Sequence, residues 1–322
     1  MTVSGEKDGG IYFYQAIEVI MTKANKNAVW SALLLASIGL YGCGGGGGSS
    51  TGALSLAVTD APVDGVAKVV IEFSEVQVHS ASGDTLDFVL PTPQQIDLLA
   101  YTSGKSTLLL DHQPMEAGQY QWIRLFVSEA DSYVMTDSGA QLPLQIPSNA
   151  QSGLKLNHSF TLAANGVASF VIDFNLRQSL HLPQAAGSPY ILRPTLRIAD
   201  TATTGAISGS VDAGLVTAQG CVDGTATNGD TGGAVYVYEG STATPVDINT
   251  SLSDGQPLTT AQVTQNNGAW EYTAAYLDPG AYTVAFSCQS TLDLPDATDS
   301  IVFHNPAGVT VTSGDTSLHD FP

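Results

Sequence analysis

From about residue 53 to the end of the chain, short apolar runs of period two follow one another, each closed by a turn former. Side chains change face at every residue of a strand, so runs of this kind bury an apolar face only as sheet. Leu54, Leu56 and Val58 share one parity. Val69, Ile71 and Phe73 share another, and Val76 and Val78 then switch, which predicts a β-bulge. Tyr120 to Val127 is apolar on both sides, as in a central strand. Ile123, Leu125 and Val127 are expected on one face, and Tyr120, Trp122 and Phe126 on the other. Leu154, Leu156 and Phe160, then Phe170, Ile172 and Phe174, then Tyr190, Leu192, Leu196 and Ile198 continue the series. Asp64-Gly65, Ser82-Gly83-Asp84, Ala117-Gly118 and Asn165-Gly166 supply turns. Roughly nine or ten strands at this spacing over 53–200 imply a sandwich or barrel. The expected fold class is all-β, with two β-sandwich-like domains, 53–200 and 204–322, after a leader and a tether.

Composition agrees. Gly is abundant at 33 residues and only 12% of residues are charged, which suits strands and turns better than long helices. The charge is lopsided, with 10 Lys and Arg against 30 Asp and Glu, a net of −20. Such a surface repels phosphate backbones, so nucleic acid is excluded as a partner. Attachment to an anionic bilayer through basic residues is excluded on the same ground. Solubility, including solubility in a salty medium, is the plainest reading of the acidity, with a calcium-loaded surface as the alternative.

The N-terminal segment carries an export signal. Met21 starts a stretch in which Lys23 and Lys26 precede a nearly wholly apolar run from Ala28 to Leu40. That run is too short to span a bilayer comfortably and has the layout of a secretory signal. Leu40-Tyr41-Gly42-Cys43 resembles the lipobox of bacterial lipoproteins, with Tyr41 where a smaller residue is commoner. The resemblance implies cleavage between Gly42 and Cys43 and acylation of Cys43, giving a chain anchored to a lipid bilayer. The alternatives are an ordinary short signal or a single anchor helix. Residues 1–42 are therefore read as a leader. Its true start is expected at Met21, because 1–20 precede a complete signal. Residues 43–52 form a Gly/Ser tether, and its nine flexible residues reach roughly 15–18 Å. Gly44, where Asp marks inner-membrane retention, implies the outer membrane if the cell is Gram-negative.

Two further resemblances cover the mature part. Gly52 to Pro62, Ile96-Asp97-Leu98-Leu99, Ala117-Gly118-Gln119-Tyr120 with Ile123-Arg124-Leu125, Pro147-Ser148 with Ser152 to Lys155, Val171 to Asn175 with Ser179, and Tyr190 to Pro194 keep the order of one family. That run resembles the bacterial and archaeal domain-of-unknown-function family 4382. It implies an exported, often lipid-anchored β-domain with no known activity. Beyond Gly205, Ile207 to Val211, Ala234 to Tyr238, Asn267 to Tyr272 and Leu277 to Val284 resemble the carboxypeptidase regulatory-like, or prealbumin-like, β-sandwich. Trp270, Tyr272 and Ala274 share a face there, as do Tyr282, Val284, Phe286 and Cys288. With Cys43 acylated, Cys221 and Cys288 remain, and an oxidising compartment favours a bridge between them over two free buried thiols.

The chain offers little sign of catalysis, and no catalytic residue is assigned. Gly48-Ser49-Ser50-Thr51-Gly52 fits a nucleophile-elbow string but lies in the tether. Gly104-Lys105-Ser106 lacks the earlier glycine of a phosphate loop, Leu99 standing in its place. His79, His112, His158, His181, His304 and His319 show no metal spacing, and His158 reads as a half-buried core residue. Asp60 is expected to shape a turn at a strand end. Asp173 is expected to pair across strands with the Arg193/Arg197 face. The alternative makes Asp60 and Asp173 cation ligands. Asp223, Asn228 and Asp230 with Asp293, Asp296 and Asp299 read as solvated turns, with a structural calcium loop as the alternative. No cofactor is expected otherwise. The function expected is a non-enzymatic surface lipoprotein that contacts a protein, a polymer or the envelope. A carbohydrate-binding module using Trp122, Trp270, Tyr236 or Tyr272 is one alternative, although core packing is the plainer role for those rings. A hydrolase of unknown type is the other.

Overall fold

The computed structural model describes residues 50–147, 153–183, 185, 187–218, 221, 230–252 and 254–322, with nothing of the side chains at 230–232. Cleavage at Gly42, acylation of Cys43, nearly all of the tether, and the Asp223, Asn228 and Asp230 side chains fall outside them. The strands begin with β1 (Thr51–Thr59), β2 (Val66–Ser80), β3 (Thr85–Asp97) and β4 (Thr107–Glu116). Then come β5 (Gly118–Thr136), β6 (Gln141–Gln145), β7 (Leu154–Leu162) and β8 (Val167–Asp173). One helical turn, α1 (Leu176–Ser179), precedes β9 (Leu180–His181), β10 (Tyr190–Leu192) and β11 (Arg197–Asp200). These eleven strands, against the nine or ten expected, make a four-stranded sheet ordered β11-β8-β1-β4 and a seven-stranded sheet ordered β3-β2-β5-β6-β10-β9, with β7 added on β5.

The two sheets face one another over a shared core that includes Leu54, Leu56, Phe73, Ile123, Leu125, Phe170 and Phe174. The bulge predicted in β2 is present: pairing with β5 slips between Phe73 and Glu75, leaving Ser74 as the extra residue. Phe73 and Val76 are therefore both fully buried. A second slip, between Tyr120 and Trp122, corrects the expectation for β5. Tyr120 lies in the core with Ile123 and stacks on Phe160, instead of sharing the outer face of Trp122.

The remaining chain forms β12 (Gly205–Val211), a turn of helix α2 (Ala213–Val216), β13 (Asp230–Glu239) and β14 (Thr259–Asn266). It ends with β15 (Ala269–Leu277), β16 (Gly280–Ser287), β17 (His304–Val311) and β18 (Thr316–Leu318). All seven strands join one sheet, ordered β17-β16-β13-β14-β15-β12-β18. Its edges approach each other, since Ser317 Oγ of β18 donates to Thr310 O of β17 at 2.6 Å. The sheet thus curls round a core of Ile207, Val235, Tyr272, Val284 and Phe286. Asn267 and Gly268, both at positive φ, make the two-residue hairpin between β14 and β15. Cys221 and Cys288 are disulfide-bonded, with Cα atoms 5.0 Å apart. Among the described residues no helix is long and apolar enough to cross a membrane.

Candidate functional site

Seven Lys and Arg residues follow Cys43. Three of them, Arg177, Arg193 and Arg197, converge where the first sandwich meets the curled sheet. Parallel pairing of β1 with β8 puts Thr59 opposite Asp173, and β11 puts Arg197 opposite Asp173 on the other side. The expected cross-strand pair forms: Arg197 Nη2 lies 2.9 Å from Asp173 Oδ2, and Asp173 is buried. Arg197 Nη1 also donates to the carbonyl of Tyr276 on β15. Arg193 reaches Asp296 at 3.5 Å, and His181 Nδ1 lies 2.8 Å from the same carboxylate.

Arg177 is the centre of this junction. It sits on α1, whose backbone is turned by Asn175 at φ 39°. Its guanidinium donates to Asp64 Oδ2 at 2.6 Å, to Ser290 O at 2.8 Å and to Gln262 Oε1 at 2.9 Å. Asp64 also accepts from Ser290 Oγ and Gln262 Nε2, so residues of both sandwiches share one charge pair. Burial works against the guanidinium charge, but Asp64, Tyr236 and Asp293 together outweigh it and the pKa of Arg177 rises. Asn175 Nδ2 donates to Leu258 O at 3.3 Å, and Gln178 Nε2 donates to Pro257 O at 2.5 Å. Tyr276 completes the contact. It packs on Ala57, Val171 and Ala199, and its hydroxyl donates to Gly104 O at 2.9 Å. Arg177 was not singled out from the sequence. Its one local signal is a lone cation between two apolar strands, and its partners lie 113 and 85 residues away.

Asp60 does not shape a local turn. Its Oδ1 accepts from Leu176 N at 2.9 Å, holding the first turn of α1 from 116 residues away. Asp173 and Asn175 are likewise absorbed: Asp173 Oδ1 accepts from Asn175 N at 3.1 Å.

The acidic residues beyond β16 regroup in a way the sequence did not indicate. Asp296 goes to the arginines. Asp247, Asp293 and Asp299 instead bring one carboxylate oxygen each within 4.8 Å of the others. Asp293 accepts from Tyr236 Oη at 2.6 Å and from Ile248 N at 3.0 Å. Asp247 Oδ2 accepts from Asp299 N, and Asp299 Oδ2 accepts from Leu294 N. Burial pushes the Asp293 carboxyl up to about 6, against the opposing pull of the Tyr236 hydrogen bond. The same burial raises the Tyr236 hydroxyl well above its ordinary value.

Of the four rings considered for stacking on sugar, Tyr236 and Tyr272 are buried and Trp270 packs against the second core. Trp122 is half-buried on the outer face of β5. His79 stacks on it at 4.7 Å, and the Arg124 guanidinium and Lys155 ammonium lie 4.6 and 4.9 Å from its ring centre. Two more of the seven cations are thus gathered on one aromatic ring. His158 is half-buried, edge-on to Phe170, as a core residue.

The geometry defines an all-β protein in which two sandwich-like bodies are joined by hydrogen bonds from buried ion pairs of the first to residues of the second. Residues 51–194 match the family described as "Domain of unknown function (DUF4382)". No curated protein matches the sequence. Among solved structures, the Bacillus anthracis TIE protein aligns with 84% of this chain at 10% identity and a TM-score of 0.19. The chain spans about a third of that protein's length, 34%. GBS52, the minor pilin of Streptococcus agalactiae, aligns at 9% identity over 84% of this chain and 94% of its own, with a TM-score of 0.20. The fimbrial anchor protein Mfa2 of Porphyromonas gingivalis aligns at 9% identity over 74% of this chain and 79% of its own, with a TM-score of 0.18. Scores this low carry no argument about what the chain does.

Proposed function

We propose that this chain is a non-enzymatic surface lipoprotein, held to the envelope by acylated Cys43 and, in a Gram-negative cell, to the outer membrane. Its body acts as a structural or binding module made of a domain of the 4382 family and a carboxypeptidase regulatory-like sandwich that begins near residue 204. The observation that carries this reading is the Asp64–Arg177 pair with Gln262 and Ser290, which spends buried charge on fixing two sandwiches against each other. A body whose two parts are fixed against each other suits display. Two ionisable groups perturbed by burial, Asp293 and Tyr236, are bonded to each other, as structural groups are. Feeding labelled palmitate to cells tests the anchor: the wild-type chain should take up label and Cys43→Ser should not. Equal labelling of both would sink the proposal.

A carbohydrate-binding accessory lipoprotein is a second reading, favoured by the half-buried Trp122 with Arg124 and Lys155 against its ring. A glycan array decides it. Binding that Trp122→Ala abolishes supports this reading, and silence across the array removes it.

A further inference from the structure

Beneath the junction lies a cavity of about 20 Å³. Asp60, Asp173, Thr260 and Tyr276 are among the residues lining it. One water-sized sphere takes roughly 10–15 Å³ on this measure, so the space suits a single small particle. Asp60 is 6% exposed and Thr260 3%. Among the described residues neither Asp60 Oδ2 nor Thr260 Oγ1 has a hydrogen-bond partner. Two buried oxygens without partners beside one small space call for something that binds oxygen.

Charge accounting narrows the occupant. Asp173 is matched by Arg197 and Asp64 by Arg177, both at hydrogen-bond distance. Asp60 accepts from the Leu176 amide on Oδ1 but has no ion-pair partner of its own, because the nearby Arg177 is bonded to Asp64. A buried carboxylate without a directly paired cation is costly. A proton on Oδ2 would neutralise it but would leave the new O–H without an acceptor. A cation satisfies both the charge and the open lone pairs. The donors available are carboxylate and hydroxyl oxygens, which suit hard cations and not thiophilic metals.

We propose that the cavity between β1, β8 and the β14–β15 face is a binding site for one hard metal cation, held by Asp60 Oδ2 and Thr260 Oγ1 and locking the two sandwiches together. The site lies apart from the Asp247, Asp293 and Asp299 cluster, whose Asp293 oxygens already have donors. The inference does not depend on the lipoprotein reading.

The test strips the full-length protein with EDTA and follows thermal unfolding against added Ca²⁺, with Mg²⁺ and Na⁺ in separate arms. Ca²⁺ at about 100 times its dissociation constant should raise the wild-type midpoint by about 5–10 °C. Asp60→Asn keeps an acceptor for Leu176 N and Thr260→Val keeps the shape, so both should fold and both should lose the shift. Asp60→Asn should also be at least as stable as wild type in EDTA, because it removes the uncompensated carboxylate. The double variant Asp247→Asn with Asp299→Asn should keep the shift. A cation shift that survives Asp60→Asn, a shift lost only in that double variant, or no shift with any of the three cations would each overturn the proposal.

Discussion

Arg177 Nη1 lies 2.6 Å from Asp64 Oδ2 with both side chains almost wholly buried, and each partner also bonds residues of the curled sheet. Removing one member of a buried pair leaves the other charge without compensation, which costs about 3–5 kcal/mol. Arg177→Met should therefore destabilise the chain by that order, and Asp64→Asn by somewhat less because its oxygen still accepts. The double variant should recover part of the loss. Urea denaturation of the four proteins gives the coupling energy, and additive losses would show that the pair is not a unit.

The same junction shows where sequence reading stops. Alternation in β1, β2 and β8 follows from local side-chain chemistry, so the strands and the Ser74 bulge were legible. Tyr120 lies on the face opposite to the one simple alternation gives it, because a bulge at Gln121, the extra residue opposite β2, leaves no mark in a run that is apolar on both sides. Asp173 and Arg197 were readable as a pair because their strands are near in the chain. Asp60 and Arg177 were not, since their partners are fixed by how the sandwiches meet. Nothing in a string of residues distinguishes a polar face that meets solvent from one that meets a second domain. Asp247 was missed for the same reason: its neighbours Asp293 and Asp299 lie about fifty residues on, as the 52-residue reach to the Asp299 amide shows.

The Cys221–Cys288 bond closes a loop with a sequence separation of 67. On a chain-entropy treatment that length is worth about 4 kcal/mol. Reduction, or Cys221→Ala with Cys288→Ala, should lower the denaturation midpoint accordingly while leaving the sheet signature in far-UV circular dichroism intact. Two thiols reacting in unfolded, unreduced protein with Cys43 already acylated would show that the bond does not form.

Gly209 marks a close approach of backbone. A Cβ there would sit 1.8 Å from His319 O, on the chain that follows β18. Two amides of that segment depend on β12: His319 N donates to Ser208 O at 2.9 Å and Phe321 N to Ser210 O at 2.8 Å. Gly209→Ala should push the C-terminal segment off the sheet at a cost of about 1–3 kcal/mol. Hydrogen exchange at the His319 and Phe321 amides should accelerate in the variant. Unchanged protection at both would refute the contact.

Acid should strengthen this protein before it weakens it. The Asp293 carboxyl titrates at about 6 when folded, against an ordinary 3.8, because burial disfavours its charge. A raised folded pKa means that the folded state takes up its proton first as the pH falls. The stability it contributes is therefore complete below about 3.8 and is lost as pH rises through about 6. The difference of roughly two units corresponds to about 3 kcal/mol. Asp60 and Asp97, whose carboxyls burial also raises, act in the same direction. Lower net charge adds to the effect by easing self-repulsion in a chain of −20. Thermal midpoints measured in metal-free buffer should thus climb between pH 7.5 and 5. Asp293→Asn should flatten that climb without abolishing it, since Asp60 and Asp97 still titrate. A wild-type midpoint that falls steadily across this interval would mean that the Asp293–Tyr236 contact is open to water and not sealed beneath β13.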